Sequence, residues 1–352
     1  LVALCALDAS ERGATIATRT ACVAAERRDD HWEITLLDTL SGARRQVKAK
    51  ALVNAAGPWV LDIIHDVTHS HSNRRVRLVK GSHIIVPKFW EGQQAYLVQN
   101  PDRRVIFINP YEGDKALIGT TDIPWEGKAE EVAADEQEID YLINAVNRYF
   151  KVELRRDDVL VHFSGVRPLF DDGKGNPSAV TRDYAFELDT QGQAPLLHVF
   201  GGKITTFRKL AEHAMQQLAP YFPAMGPDWT AQGVLPGGEI ENGDFATFLG
   251  QVKKRWPWLP APLRRHYARL YGARMEQLLG DAQRLEDLGE WFGSCLYEAE
   301  ARYLIDHEWA RKPEDVLWRR TRHRLHLNEP QITRFNHWFA ASATPSRLHA
   351  AS

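Results

Sequence analysis

The sequence predicts an α/β protein with an all-helical C-terminal domain, and three observations carry that prediction. Ala51-Leu52-Val53-Asn54-Ala55-Ala56-Gly57 and Pro195-Leu196-Leu197-His198-Val199-Phe200-Gly201-Gly202 are short apolar runs ending in small residues, as strands buried on both faces of a parallel sheet do. Each is followed by a helical signal: Pro58 after the first, and Leu210, Ala211, Ala214, Met215 and Leu218 on one face after the second. Between the two lie short alternating runs separated by polar turns, and beyond Gly226 the apolar spacing is helical.

Composition bounds the rest. With 352 residues, 44% hydrophobic and 26% charged, the chain is long enough to bury a core and to form two or three domains. No run approaches the roughly 18 apolar residues of a membrane-spanning helix, and Leu1-Val2-Ala3-Leu4-Cys5 lacks the flanks of a secretion signal. A formal net charge of −2 argues against nucleic acid as a partner. Cys5, Cys22 and Cys295 lie far apart without CxxC spacing, which predicts a reducing compartment and neither disulfide nor zinc site. The chain opens without Met, in what reads as the tail of a helix, so a piece of a longer chain is expected.

In order, alternation predicts strands over 15–23 and 31–37, joined at Asp29-Asp30. Ser41-Gly42 turns the chain into a strand over 45–50 and then into the first buried run. A helix from Pro58 to about residue 64 follows. Runs at 81–86, 95–98, 104–108 and 116–121 predict an antiparallel meander. Asp135 caps a helix whose Ile139, Leu142, Ile143, Val146 and Phe150 share a face. Strands over 159–166 and 179–188 complete this layer. Helices are predicted over 244–256, 261–271, 287–309, 314–325 and 331–341, with Pro260, Pro262 and Pro313 at starts. The expected domains are 1–72 with 191–225, then 73–190, then 226–352.

The turn after residue 200 is where chemistry can sit. Gly201 and Gly202 let the backbone take positive φ and come close to a ligand, and the N–H groups of the following helix attract anions or electron-rich oxygens. Lys203 lies at the mouth, with Thr205 or Thr206 placed to cap the helix. The same residues also suit an ordinary strand-to-helix turn with a solvated lysine. Arg167, between an apolar strand and Pro168, is poorly placed for free solvation and needs an anionic partner. Arg182 adjoins Asp183, but strand neighbours face opposite ways and need not pair. Together Arg167, Arg182 and Lys203 either converge on a phosphate or carboxylate, or form separate structural ion pairs.

Other patterns are weaker. His65, His69 and His71 read as a surface loop rather than a metal site. The basic stretch 311–324, with Trp318, suits a solvated helix face better than an acidic membrane surface. Gly173-Lys174-Gly175 precedes Pro177 in a loop, so the GxGxxG dinucleotide fingerprint is absent.

Asn54-Ala55-Ala56-Gly57-Pro58-Trp59, Val79-Lys80-Gly81-Ser82-His83, Ile118-Gly119-Thr120-Thr121-Asp122, Ser164-Gly165-Val166-Arg167-Pro168, Thr181-Arg182-Asp183-Tyr184 and Phe200-Gly201-Gly202-Lys203-Ile204-Thr205-Thr206 are motifs whose order and spacing closely resemble those of the aerobic, FAD-dependent glycerol-3-phosphate dehydrogenases of bacteria. The resemblance spans essentially the whole chain, including Asp306-His307-Glu308-Trp309. It implies a partial FAD-binding Rossmann-like domain with an inserted antiparallel substrate-binding sheet and a C-terminal helical domain. The implied reaction moves a hydride from C2 of sn-glycerol 3-phosphate to FAD, giving dihydroxyacetone phosphate, with electrons passing to quinone. It also implies a homodimer held peripherally on the cytoplasmic face of the inner membrane.

By the same resemblance, Ala56, Gly57 and Trp59 line FAD at one strand end, and Gly202, Lys203, Ile204 and Thr205 approach it at the other. Cys22 is the expected contact on the adenine side. Arg167 and Lys203 are the expected catalytic residues: Arg167 holds the substrate near its C2 oxygen, and Lys203 contacts substrate or flavin. Arg182 either contacts the phosphate or supports a residue that does. No base for the hydroxyl proton is identified. Members of the family open with a GxGxxG segment that these residues do not contain, so weak retention of FAD by the 352 residues alone is expected. The alternatives are a glycerol-3-phosphate oxidase using O₂, a non-catalytic folding or interaction module, and an amine or amino-acid oxidase.

Overall fold

Leu52–Asn54 and Leu196–Gly201, the two apolar runs, lie side by side as parallel strands, with Leu196 opposite Leu52 and His198 opposite Asn54. This is seen in a computed structural model of the protein that describes residues 1–171, 183–191 and 193–342. Tyr184–Asp189 is the third strand of this sheet, antiparallel to Leu196–Gly201. It was expected in the larger antiparallel layer. The short connection from Asp189 to Leu196 makes the two a hairpin and leaves no room for a crossover.

A separate antiparallel sheet is formed by Thr20–Arg27, Trp32–Asp38 and Arg44–Ala49. Its first strand begins later than the alternation suggested, because Arg19 takes a left-handed turn (φ 57°) before it. Ala25, Trp32 and Ile34 bury one face of this sheet against Val67, Ala194 and Leu196. From Gly57 to Val67 the chain is one continuous helical stretch that passes from 3₁₀ to α to π geometry, with Pro58 in its first turn as expected. Val60 and Ile64, fully buried, pack there on Phe200.

The larger sheet orders its strands Val161–Asp171, Arg75–Pro87, Lys115–Gly119, Val105–Tyr111 and Tyr96–Gln99, with Ile123–Trp125 paired to Arg75–Pro87. The helix Glu136–Tyr149 covers one face. Its start is a capping box: Asp135 accepts from the Glu138 N–H at 2.9 Å, and the Glu138 carboxylate accepts from the Asp135 N–H at 3.2 Å. Ile84, Ile106, Ile108 and Ile118 are fully buried against Leu142 and Val146, each stabilising the fold by roughly 1.5–3 kcal/mol relative to leaving it exposed.

These strands belong to one of two compact units, Arg19–Ala231; the other joins Leu1–Thr18 to the chain from Gln232 onward. The second unit packs the helices Phe245–Arg255, Ala261–Tyr271, Glu298–His307 and Glu329–Ser342 around Tyr267, Phe292, Leu304, Val316 and Phe335. The helix expected over 287–309 is interrupted. Trp291–Gly293 pairs with Leu296–Tyr297 as a hairpin, turned by Gly293 (φ 130°) and Ser294 (φ 46°), after a 3₁₀ turn at Leu285–Leu288, and the α-helix is Glu298–His307. The helix expected over 314–325 is a π turn, Asp315–Arg320, followed by a 3₁₀ turn, His323–Leu325.

Candidate functional site

The ends of the two parallel strands meet the strand Val161–Asp171. Gly57 takes φ 58°, and a Cβ there would lie 4.0 Å from Pro168 Cγ. Gly201 takes φ 71°, and a Cβ on it would stand 2.8 Å from the Asp183 carbonyl and 3.3 Å from Phe170 Cβ. Only glycine allows that backbone turn at that distance. Phe170 packs with Phe200, Val60 and Ile64 beneath the junction.

Arg167 precedes Pro168, so this packing fixes where its guanidinium emerges. Nη1 lies 3.1 Å from Asp122 Oδ1 and Nη2 donates to Thr120 Oγ1 at 3.2 Å. The group bridges close over Gly81, where a Cβ would fall 2.7 Å from Arg167 Nη2 and 2.6 Å from Thr120 Oγ1. The side chain is 33% exposed. It has the anionic partner expected of it, yet keeps an open side for a ligand.

His83 joins this group. On the strand Arg75–Pro87 residues alternate: Ser82, Ile84 and Val86 are fully buried toward the covering helix, while Gly81 and His83 share the face of Arg167. The His83 ring stacks on Phe163 and lies against Gly119, leaving no space for a Cβ there. Its Nδ1 is buried without a hydrogen-bond partner. Burial, and then the positive charge of Arg167, push its pKa below the ordinary histidine value. A neutral imidazole with an unused ring nitrogen beside a guanidinium can take a proton from an oxygen that the guanidinium holds. The sequence contains His83 within a quoted motif but offers no local signal of that role.

Lys203 is extended, ahead of the 3₁₀ turn Ile204–Thr206, with Nζ 3.7 Å from Asp183 Oδ1. Ile204 is 64% exposed and Thr205 is exposed beside it. Neither threonine caps the helix: Thr206 Oγ1 donates to the Lys203 carbonyl, tightening the turn, and Phe207–Leu218 starts without a side-chain cap. On that helix Met215 faces out and Glu212 is buried, since Glu212 accepts from Arg208, Lys209 and Thr230. At the other strand end, the Ala56 N–H donates to Asn54 Oδ1, and the half-exposed Trp59 donates its indole N–H to Glu130. Asn54 in turn bridges His198 Nδ1 at 3.1 Å and the Val60 carbonyl at 2.9 Å, tying the two parallel strands together.

The glycine turns with exposed Val53, Trp59 and Ile204 leave apolar surface and open backbone at the two strand ends. That suits a flat ring system, with Lys203 available to electron-rich atoms. Cys22 is placed differently: half-buried, it packs in the core that holds Leu52 and Leu196, at the opposite end of the parallel pair from Gly57 and Gly201. Arg182 lies outside the described residues. His65, His69 and His71 are exposed, and the His69 ring bonds the His65 carbonyl. In the basic stretch, Arg319 is bound by Asp315, Arg320 by the Glu308 carbonyl, Arg322 by the Trp318 carbonyl and Arg324 by Glu329. These bonds tie four arginines of the stretch to the protein's own groups.

Residues 1–208 match a family model described as FAD dependent oxidoreductase, and residues 229–331 match one described as the C-terminal domain of alpha-glycerophosphate oxidase. The chain is 62% identical to a D-erythritol 1-phosphate dehydrogenase of Brucella abortus, over 96% of this chain and 68% of that protein. It is 46% identical to an aerobic glycerol-3-phosphate dehydrogenase of Escherichia coli, over 97% of this chain and 68% of that one. Among solved structures, the glycerol-3-phosphate dehydrogenase of Bacillus halodurans complexed with FAD superposes with a TM-score of 0.79 at 25% identity, covering 97% of this chain and 71% of that one.

Proposed function

The chain belongs to the FAD-dependent oxidoreductases that carry the C-terminal domain of alpha-glycerophosphate oxidase, and from that premise we propose that it oxidises a secondary hydroxyl of a short polyol phosphate, sn-glycerol 3-phosphate in the first instance. The observation that carries this reading is that Arg167, one-third exposed, shares a sheet face with His83, whose imidazole is kept neutral by burial and by the Arg167 charge.

The residues at the strand ends fit the ring portion of FAD: Gly57 and Trp59 on one side, Gly202, Lys203, Ile204 and Thr205 on the other, with Ala56 behind. Bound FAD supplies the hydride acceptor. Arg167 orients the substrate oxygen and favours its partial negative charge as the proton leaves. The His83 imidazole receives that proton. Lys203 stands where it steadies negative charge on either substrate or flavin. Asp122 and Thr120 hold the guanidinium in place, and Phe163 holds the imidazole.

A second substrate is favoured by the 62% identity to the Brucella enzyme: D-erythritol 1-phosphate is one carbon longer but shares a terminal phosphate and adjacent hydroxyls. Quinone as acceptor, homodimerisation and peripheral attachment to the cytoplasmic face of the inner membrane rest on the family resemblance alone. No helix among the described residues is long and apolar enough to cross a membrane. The test is anaerobic reduction of the FAD-loaded protein by each phosphate in turn, followed by reoxidation with a soluble quinone or with O₂. Unphosphorylated glycerol as sole effective reductant would refute the proposal.

A further inference from the structure

Far from the flavin residues in sequence, the C-terminal unit gathers three side chains with the donor atoms of a metal site. His266 Nε2, on the helix Ala261–Tyr271, lies 2.7 Å from Glu300 Oε1. His323 Nε2, on the turn His323–Leu325, lies 2.9 Å from Glu300 Oε2. Glu300 itself is on the helix Glu298–His307 and is fully buried, with His323 only 3% exposed. One donor atom from each residue lies within 4.8 Å of the others.

We propose that His266, Glu300 and His323 bind one divalent transition-metal ion, zinc by preference, which ties the three elements of the C-terminal unit together. Two imidazole nitrogens and one carboxylate oxygen are the donor set of zinc rather than of calcium or magnesium. A tetrahedral ion about 2.0–2.1 Å from each donor needs donor separations of roughly 3.4 Å. With one carboxylate oxygen as ligand, its close imidazole must therefore open by less than about 1 Å, and the widest separation, within 4.8 Å, must close by up to about 1.4 Å. The ion takes the place of the Nε2 protons between the rings and the carboxylate.

The surroundings are those of a held ligand. Tyr271 donates its hydroxyl to Glu300 Oε1 at 2.7 Å, fixing the carboxylate as outer partners of metal ligands do. The neighbouring Tyr267 hydroxyl is buried with no hydrogen-bond partner, an unmet polar group within reach of the Glu300 charge. Three protein donors leave a fourth position for water. His266 has 23% of its side chain exposed, which gives the ion a way in. The site is independent of the flavin reading, and its test needs no turnover.

The whole chain is stripped with chelator, then titrated with Zn²⁺ and separately with Co²⁺ as a spectroscopic substitute. The expected result is about one metal ion per chain, the strong visible absorption of four-coordinate Co²⁺, and a higher melting temperature with metal than with chelator. His266→Gln and His323→Gln should each abolish stoichiometric uptake while circular dichroism stays unchanged. If a variant unfolds, X-ray absorption of the wild-type Co²⁺ form decides, two imidazoles supporting the site and none refuting it. No stoichiometric uptake by the folded wild type, or uptake unaltered in both variants, would overturn the proposal.

Discussion

The His83 ring lies on Phe163 with centroids 5.2 Å apart and planes 7° from parallel. The stacking holds a buried, unpartnered nitrogen on the face that also carries Arg167. If the imidazole is the base, His83→Gln should lower the rate of flavin reduction by about 10²–10⁴-fold while leaving the flavin spectrum intact. Stopped-flow absorbance reads both quantities.

The same pair makes a pH prediction. Burial and then the Arg167 charge lower the His83 pKa, so the base stays neutral to pH values below the ordinary histidine titration near about 6.5. The acid limb of kcat/KM should therefore fall below that value. Arg167→Gln removes one of the lowering influences, so the limb should move upward in pH even as activity drops. A limb that stays put would separate His83 from the proton transfer.

Arg167 is held by Asp122 and Thr120 as a planar fork, and a lysine cannot reproduce both contacts. Arg167→Lys should cost about 2 kcal/mol of transition-state binding, roughly a 30-fold loss in kcat/KM. Steady-state rates with saturating FAD measure it.

Behind the site, Lys80 Nζ contacts Glu138 Oε2 at 2.6 Å with both side chains almost wholly buried. Ser82 and Thr121 donate to the other oxygen of that carboxylate. Lys80→Met would leave Glu138 charged, buried and short of a partner, at a cost of roughly 3–5 kcal/mol. Denaturant unfolding should show that loss, and Lys80→Met with Glu138→Leu should recover part of it.

Glu212 is one of the carboxylates that make stability fall in acid. Hydrogen bonds from Lys209 and Thr230, with the charge of Arg208, lower its pKa to about 2. A carboxylate depressed in the folded state stabilises the protein above its unfolded pKa of about 4.3 and loses that stabilisation as pH falls toward 2. Thermal melts from pH 5 to pH 2 should show the decline, and Thr230→Val should make it shallower.

Much of the scaffold is legible in the chain because its signals are local. The runs at 51–57 and 195–202 announce themselves by continuous apolarity ending in glycine, although the first is not buried on both faces as expected, since Val53 on that short strand is exposed. Asp135 with Glu138 marks a helix start by spacing alone. The interruption at 291–297 is hidden, since Trp291, Phe292 and Leu296 fit a helical stripe as well as a hairpin, and only the left-handed turn at Gly293-Ser294 separates them. The site is legible where glycines and cations flank a strand end, at Gly57, Gly201 and Arg167. His83 is not: its meaning comes from the antiparallel register that sets Phe163 opposite it and brings Arg167 onto its face. The grouping of His266, Glu300 and His323 likewise depends on the packing of three separate elements.

The most direct test of the account is anaerobic addition of sn-glycerol 3-phosphate to the FAD-loaded chain, followed in the visible absorption of the flavin, with D-erythritol 1-phosphate in a parallel cell. Bleaching by one or both phosphates is expected, slower by about 10²–10⁴-fold in His83→Gln. A bound flavin that stays oxidised with both, or that is bleached equally fast in the variant, would contradict the account.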